Sequence, residues 1–327
     1  MVELGYALSS EEHEPNTLVD LAVAAERTGF TFALISDHFH PWIDRQGQSA
    51  LVWSVLGGIA RETQRLRVGT GVTCPTMRIH PAIIAQAAAT TAAMMPGRFF
   101  LGLGTGENLN EHIIGAGWPA FDIRREMFEE AVSIIRQLWT GEEITHRGTH
   151  YDVEDARLYT LPDEPPRLVI AASGTAAAEL AGRLGDGFIG TSPDEEVLNA
   201  FRKAGGDGPM YGQVTVCWDE DEARARRTAF EWWPNAAMKG ELGQELRTPK
   251  HFEQVIDMVS EDDVAEAIVC GPDADRHIER IEEYAKAGYD HVYVHQVGPD
   301  QEGFMRFYRE RVLPHFGQEA TTTGGTA

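Results

Sequence analysis

Eight times along this chain a short apolar run gives way to an amphipathic helical stretch, and that alternation constrains the fold more than any other feature. Short apolar runs suit buried parallel strands, and a helix after each one supplies the crossover that parallel pairing requires. The runs are 2–8, 32–37, 66–72, 98–106, 167–173, 187–192, 211–218 and 291–298. Helical segments fall near 17–29, 50–61, 81–95, 124–139, 175–184 and 194–204, with one from about 220 and a last through 301–312. Eight such units close a sheet on itself, so the spacing predicts an α/β fold, a (β/α)8 TIM barrel, as a single domain over 1–316. Three stretches break the rhythm: 38–49, 140–166 and about 233–262. Rich in turn residues and aromatics, they read as inserted loops that wall a pocket at the C-terminal ends of the strands. The polar, glycine-rich end, 317–327, has nothing to pack and is expected to be a disordered tail.

Charge narrows the function. With 28 basic and 51 acidic residues the net charge is −23, which argues against a nonspecific grip on nucleic acid or anionic membrane. The same field repels an anionic ligand unless helix dipoles and a few cations overcome it. Cys74, Cys217 and Cys270 are scattered and odd in number, which suggests no disulfide framework and a cytoplasmic setting. The sequence shows no export signal and no apolar window of the roughly 18 residues that span a bilayer. His38 and His40 alternate without a third ligand, so no metal site is expected.

Four clusters follow directly on strands. Ser36-Asp37-His38-Phe39-His40-Pro41-Trp42 places an imidazole beside a carboxylate, which can fix its tautomer and tune it toward neutrality for work as a general base. The alternative is a turn capped by Asp37 with His38 a satisfied loop histidine. Gly102-Leu103-Gly104-Thr105-Gly106-Glu107-Asn108-Leu109-Asn110 permits close backbone approach to a flat ligand, but its GxGxG spacing is not the GxGxxG of a dinucleotide turn. Glu107 is a candidate proton donor if burial raises its pKa, or else a helix-initiating carboxylate. Ser173-Gly174-Thr175 opens an alanine-rich helix whose first amides suit a phosphate, although such residues also serve tight turns without a ligand. In Thr70-Gly71-Val72-Thr73-Cys74-Pro75-Thr76, Cys74 has nothing nearby to lower its pKa and reads as a buried thiol, not a nucleophile.

In order and spacing these clusters, with RQLWTG at 136–141, AASGTAAAELAGRLGDGFIGTS and HVYVHQVG, are similar to the luciferase-like oxidoreductases, in particular the F420-dependent glucose-6-phosphate dehydrogenase group, over roughly 2–316. The resemblance implies a barrel with the deazaflavin ring of coenzyme F420 in its mouth and a homodimer acting on a small molecule. Carried over residue by residue, it implies His38 as the base that removes a substrate hydroxyl proton, Trp42 as a stabiliser of the reacting species, and Glu107 as proton donor or acceptor near the ring. Asp37, Cys74 and Asn110 would contact the cofactor, Gly71-Val72 would be a non-prolyl cis peptide behind the ring, and Ser173, Gly174, Thr175 and Thr191 would hold its phosphate tail. One departure concerns the substrate. Where the group has a lysine for a sugar phosphate, this chain runs into Pro193-Asp194-Glu195-Glu196, and Asp194 would repel a phosphate. The expectation is hydride transfer at a carbon–oxygen centre of an alcohol, hemiacetal or aldehyde other than glucose 6-phosphate. The nearest alternative is a luciferase-like flavin monooxygenase.

Overall fold

The computed structural model describes residues 2–238 and 240–319. Its strands in chain order are β1 (Glu3–Leu8), β2 (Phe32–Ile35), β3 (Arg67–Thr70), β4 (Phe99–Leu103), β5 (Ile144–Arg147), β6 (Asp152–Ala156), β7 (Arg167–Ala171), β8 (Gly187–Gly190), β9 (Met210–Cys217), β10 (Val269–Cys270) and β11 (His291–Gln296). Parallel pairing runs β11-β1-β2-β3-β4-β7-β8-β9, and β9 pairs with β11 to close the circle. All eight apolar runs are therefore staves of the predicted barrel, and the short β10 is added alongside β9.

Alternation along each stave divides its side chains between interior and helix layer. Ala33 and Ile35 face the helices, packed in one cluster with Leu18, Ala22, Leu56 and Ile59. Phe32, Leu34, Phe100, Val169, Ile189, Tyr211 and Tyr293 fill the interior. Phe100 stacks on Tyr211 at 4.9 Å and Phe32 meets Tyr211 edge-on at 5.3 Å. These rings fit because Gly5 and Gly69 yield the space: a Cβ on Gly69 would collide with the Phe100 ring, and one on Gly5 with that of Phe32. The aromatic layer fills the N-terminal half, and Ala7, Leu34, Val72, Ala171 and Ile189 above it floor a cavity at the C-terminal end.

The insertions hold more regular structure than loops. Segment 140–166 contains an antiparallel hairpin of β5 and β6. Its strands, ITHR and DVEDA, lack an apolar stripe; the hairpin is held from outside by Glu130, whose carboxylate accepts from the amides of His150 and Tyr151 at 3.0 Å and pairs with His146 Nε2 at 3.0 Å. Segment 233–262 carries short helices, Leu242–Glu245 and Pro249–Ile256, and the start of Glu261–Ala267, too brief and too charged to show a helical period. The helix Ala274–Ala287, also unanticipated, is the crossover into β11; Asp273 caps it and His277, Ile281 and Tyr284 are buried. Gln318, assigned to the unpacked tail, is instead held in place: its Nε2 donates to the carbonyls of Leu4 and Gly29 at 3.2 and 3.0 Å. The rest of that segment, 320–327, lies outside the described residues.

Candidate active site

A cavity of about 710 Å³ opens at the C-terminal mouth of the barrel, a size suited to a cofactor-sized ligand. Asp37, His38, Trp42, Gly71, Val72, Cys74, Glu107, Asn110, Ser173, Gly174, Thr175 and Thr191 all line it. Asp194 is not among the lining residues; its carboxylate caps the helix Glu195–Lys203, accepting from the amides of Glu196 and Val197.

His38 lies between two carboxylates, with Nδ1 3.4 Å from Glu11 and Nε2 3.4 Å from Glu107. Nδ1 is also 3.2 Å from the carbonyl of His40. Both neighbours of Nδ1 are acceptors, so a neutral imidazole keeps its proton there and turns the Nε2 lone pair toward Glu107. The Trp42 ring packs on the imidazole at 4.9 Å and is itself held edge-on by Phe252 at 5.2 Å. Burial pulls His38 toward neutrality, but Glu11 and then Glu107 outweigh it and raise its pKa above the usual histidine value. For Glu107 burial raises the pKa, His38 opposes and Glu11 adds to the rise, leaving it above the usual carboxylate range. Asn110 Nδ2 donates to Glu107 at 3.1 Å, while its Oδ1 accepts from the amides of Phe39 and His40 and so fixes the loop that carries His38.

Two expectations are corrected here. The carboxylate that sets the imidazole is not its neighbour Asp37, and the imidazole is tuned toward its charged form instead of neutrality. Asp37 points the other way: it pairs with Arg78 at 2.8 Å and accepts from Thr73 Oγ1 at 2.8 Å. Arg78 in turn reaches Glu111 at 3.5 Å, and burial lifts the Glu111 carboxyl to about 7 against the opposing pull of Arg78. Cys74 is a buried thiol, 3.1 Å from Thr76 Oγ1, with a pKa pushed well up by burial. The Gly71–Val72 peptide is cis.

Sequence reasoning also missed Glu11, Glu12 and His295. Glu11 accepts from Ser36 Oγ at 2.6 Å, and Glu12 meets His295 at 2.9 Å, with Trp233 edge-on to that imidazole at 4.4 Å. The available signal was position: two acids directly after the first strand, where a barrel buries such groups only beside a site.

A parallel (β/α)8 barrel with its polar cluster gathered on the loops of one mouth has the layout of a TIM-barrel enzyme. The model of the luciferase-like monooxygenase family matches residues 2–291, and the chain belongs to that family. Within it, the chain is 38% identical to the F420-dependent glucose-6-phosphate dehydrogenase of Microbacterium testaceum (strain StLB037), over 96% of this chain and 97% of the relative. It is also 38% identical to the enzyme of that name from Nakamurella multipartita, over 96% of each. The structure is similar to an F420-dependent secondary alcohol dehydrogenase solved with an F420–acetone adduct, at a TM-score of 0.88 and 30% identity, over 95% of this chain and 98% of that one.

Proposed function

We propose that this chain is an F420-dependent oxidoreductase that moves a hydride between the deazaflavin C5 and a carbon–oxygen centre of a neutral alcohol, hemiacetal or aldehyde. The observation that carries this reading is His38 held between Glu11 and Glu107 at the open mouth, in a chain alike over nearly its whole length to F420-dependent dehydrogenases. The residues present fit the cofactor. A Cβ on Gly104 would lie 2.7 Å from Val72 Cγ2, so the glycine lets two loops meet as one smooth wall for a flat ring. At the other end Gly174 caps its helix without a side-chain oxygen, leaving first-turn amides for an anion.

When bound, F420 accepts or supplies the hydride. His38 Nε2 takes the hydroxyl proton in oxidation and returns it in reduction, while Glu11 and Glu107 hold the charge that the imidazole then carries. Trp42 fixes the ring and keeps water from it. Asn110 holds Glu107 within reach of that proton.

Substrate selection follows from the balance of charge in the cavity, not from Asp194. Among the described lining residues Glu11, Asp37, Glu107, Glu111, Glu241 and Glu245 are acidic; Arg78, outside the lining, pairs with Asp37 and Glu111, which leaves Glu11, Glu107, Glu241 and Glu245 against Arg124, the one basic lining side chain besides histidine. A sugar phosphate would find like charge in a medium of reduced dielectric, which supports a neutral substrate over glucose 6-phosphate. The homodimer expected from the resemblance, and the cytoplasmic setting expected from the scattered cysteines, belong to this reading. Among the described residues no helix is long and apolar enough to cross a membrane.

The test is a panel of alcohols and aldehydes with oxidised or reduced F420, followed by deazaflavin absorbance. Turnover of an unphosphorylated compound is expected; binding of FMN but not F420, with oxygen consumed, would overturn the reading in favour of a monooxygenase. The pH profile provides a second check. Oxidation needs neutral His38, so kcat/KM should climb with pH through the raised imidazole pKa. Glu107→Gln removes one of the carboxylates that raise it, and the midpoint should move to lower pH. A midpoint unmoved by Glu107→Gln would detach the profile from this pair.

A further inference from the structure

Arg124 is a buried cation that the reaction does not use. It lies in the first turn of the helix Phe121–Leu138, at the end of a helix dipole that disfavours positive charge. Its side chain is only 3% exposed, yet it lines the same cavity as the reaction centre. The guanidinium rests on the Trp118 ring, 4.0 Å from its centroid, and Nη1 donates to the carbonyl of Pro119 at 2.7 Å. Its counter-ion is loose: Nη2 stands 3.5 Å from Glu245, whose side chain is half exposed. Nε is buried with no partner. A desolvated guanidinium with one donor unfilled and a distant, solvent-facing acid is an incomplete arrangement that an oxyanion would complete.

A second anion-seeking feature lines the cavity. The helix Thr175–Leu184 starts at Gly174 with no side-chain cap, and a Cβ on Gly174 would meet nothing within 4 Å, so the space before its first amides is open. In a chain of net charge −23, an anionic ligand needs such local compensation.

We propose that Arg124 binds the anionic tail of the cofactor beside the phosphate site that the resemblance places at Ser173, Gly174 and Thr175, and that the tail displaces Glu245 from the guanidinium. This rests on the F420 reading above. It also explains why the cavity has no cation to spare for a substrate phosphate: its one guanidinium serves the cofactor.

The experiment measures equilibrium binding of two probes to the purified protein by fluorescence. One probe is F420; the other is its deazaflavin riboside, which has the ring but neither phosphate nor tail. Arg124→Met should weaken F420 binding about 10- to 100-fold, the effect of losing a charge-assisted hydrogen bond, and leave the riboside unchanged. Equal weakening of both, or of neither, overturns the proposal. Should Arg124→Met fail to fold, Glu245→Gln decides: removal of the competing acid should tighten F420 severalfold without affecting the riboside, and unchanged or weaker F420 binding overturns the proposal. If the unaltered protein binds neither probe, the F420 reading itself falls, a result distinct from failure of the Arg124 assignment.

Discussion

His38→Ala is expected to lower turnover by about 100-fold or more, the usual range for loss of a positioned proton-transfer group, with little change in cofactor affinity. The imidazole has no substitute in place. Its Nε2 faces Glu107 across 3.4 Å and its Nδ1 faces Glu11 and a carbonyl, so deletion leaves two acids around an empty space. Those acids would then lose a cation that opposes their protonation, and Glu107, already raised by burial, would rise further. The residual activity should therefore lose the imidazole limb of its pH profile as well as its magnitude. Steady-state kinetics across pH, with F420 binding measured separately, provides the check. Turnover within a few-fold of the unaltered enzyme would remove His38 from the proton path.

Asp37→Ala is expected to cost about 3–5 kcal/mol of stability, the penalty for stranding a buried charge, and to shift the urea midpoint accordingly. Asp37 is fully buried in its side chain and Arg78 is 7% exposed. Arg78 also donates to the Asp37 carbonyl at 3.1 Å, so the pair ties the end of β2 to the loop after β3. Without the carboxylate, Arg78 keeps the backbone carbonyl of residue 37 and, as its remaining anion, Glu111 at 3.5 Å. The double change Asp37→Ala with Arg78→Met should recover much of the loss, because no cation is then left alone. A single variant as stable as the parent, or a double variant that adds both losses, would show that the pair carries no such coupling.

The contrast between Asp37 and His38 shows where sequence reading reaches and where it stops. The eight staves were readable because burial on both faces of a parallel strand writes a continuous apolar run, and loops at strand ends are where a barrel gathers its chemistry. The direction of a side chain at a strand end is not written so plainly. Successive residues there face opposite sides, so the acid next to His38 serves the neighbouring loop, and the imidazole instead meets Glu11 and Glu107. Glu12 and His295 are 283 positions apart and adjacent only because β11 closes onto β1. Asp194 misled for a local reason: an aspartate before Glu-Glu-Val satisfies amides at a helix start, and its charge is spent there. The β5–β6 hairpin was unreadable because its support comes from Glu130, on another element.

The rings of Phe32, Phe100 and Tyr211 give the molecule a sealed base. Traffic through the barrel is therefore one-ended: reactant and product share a single doorway.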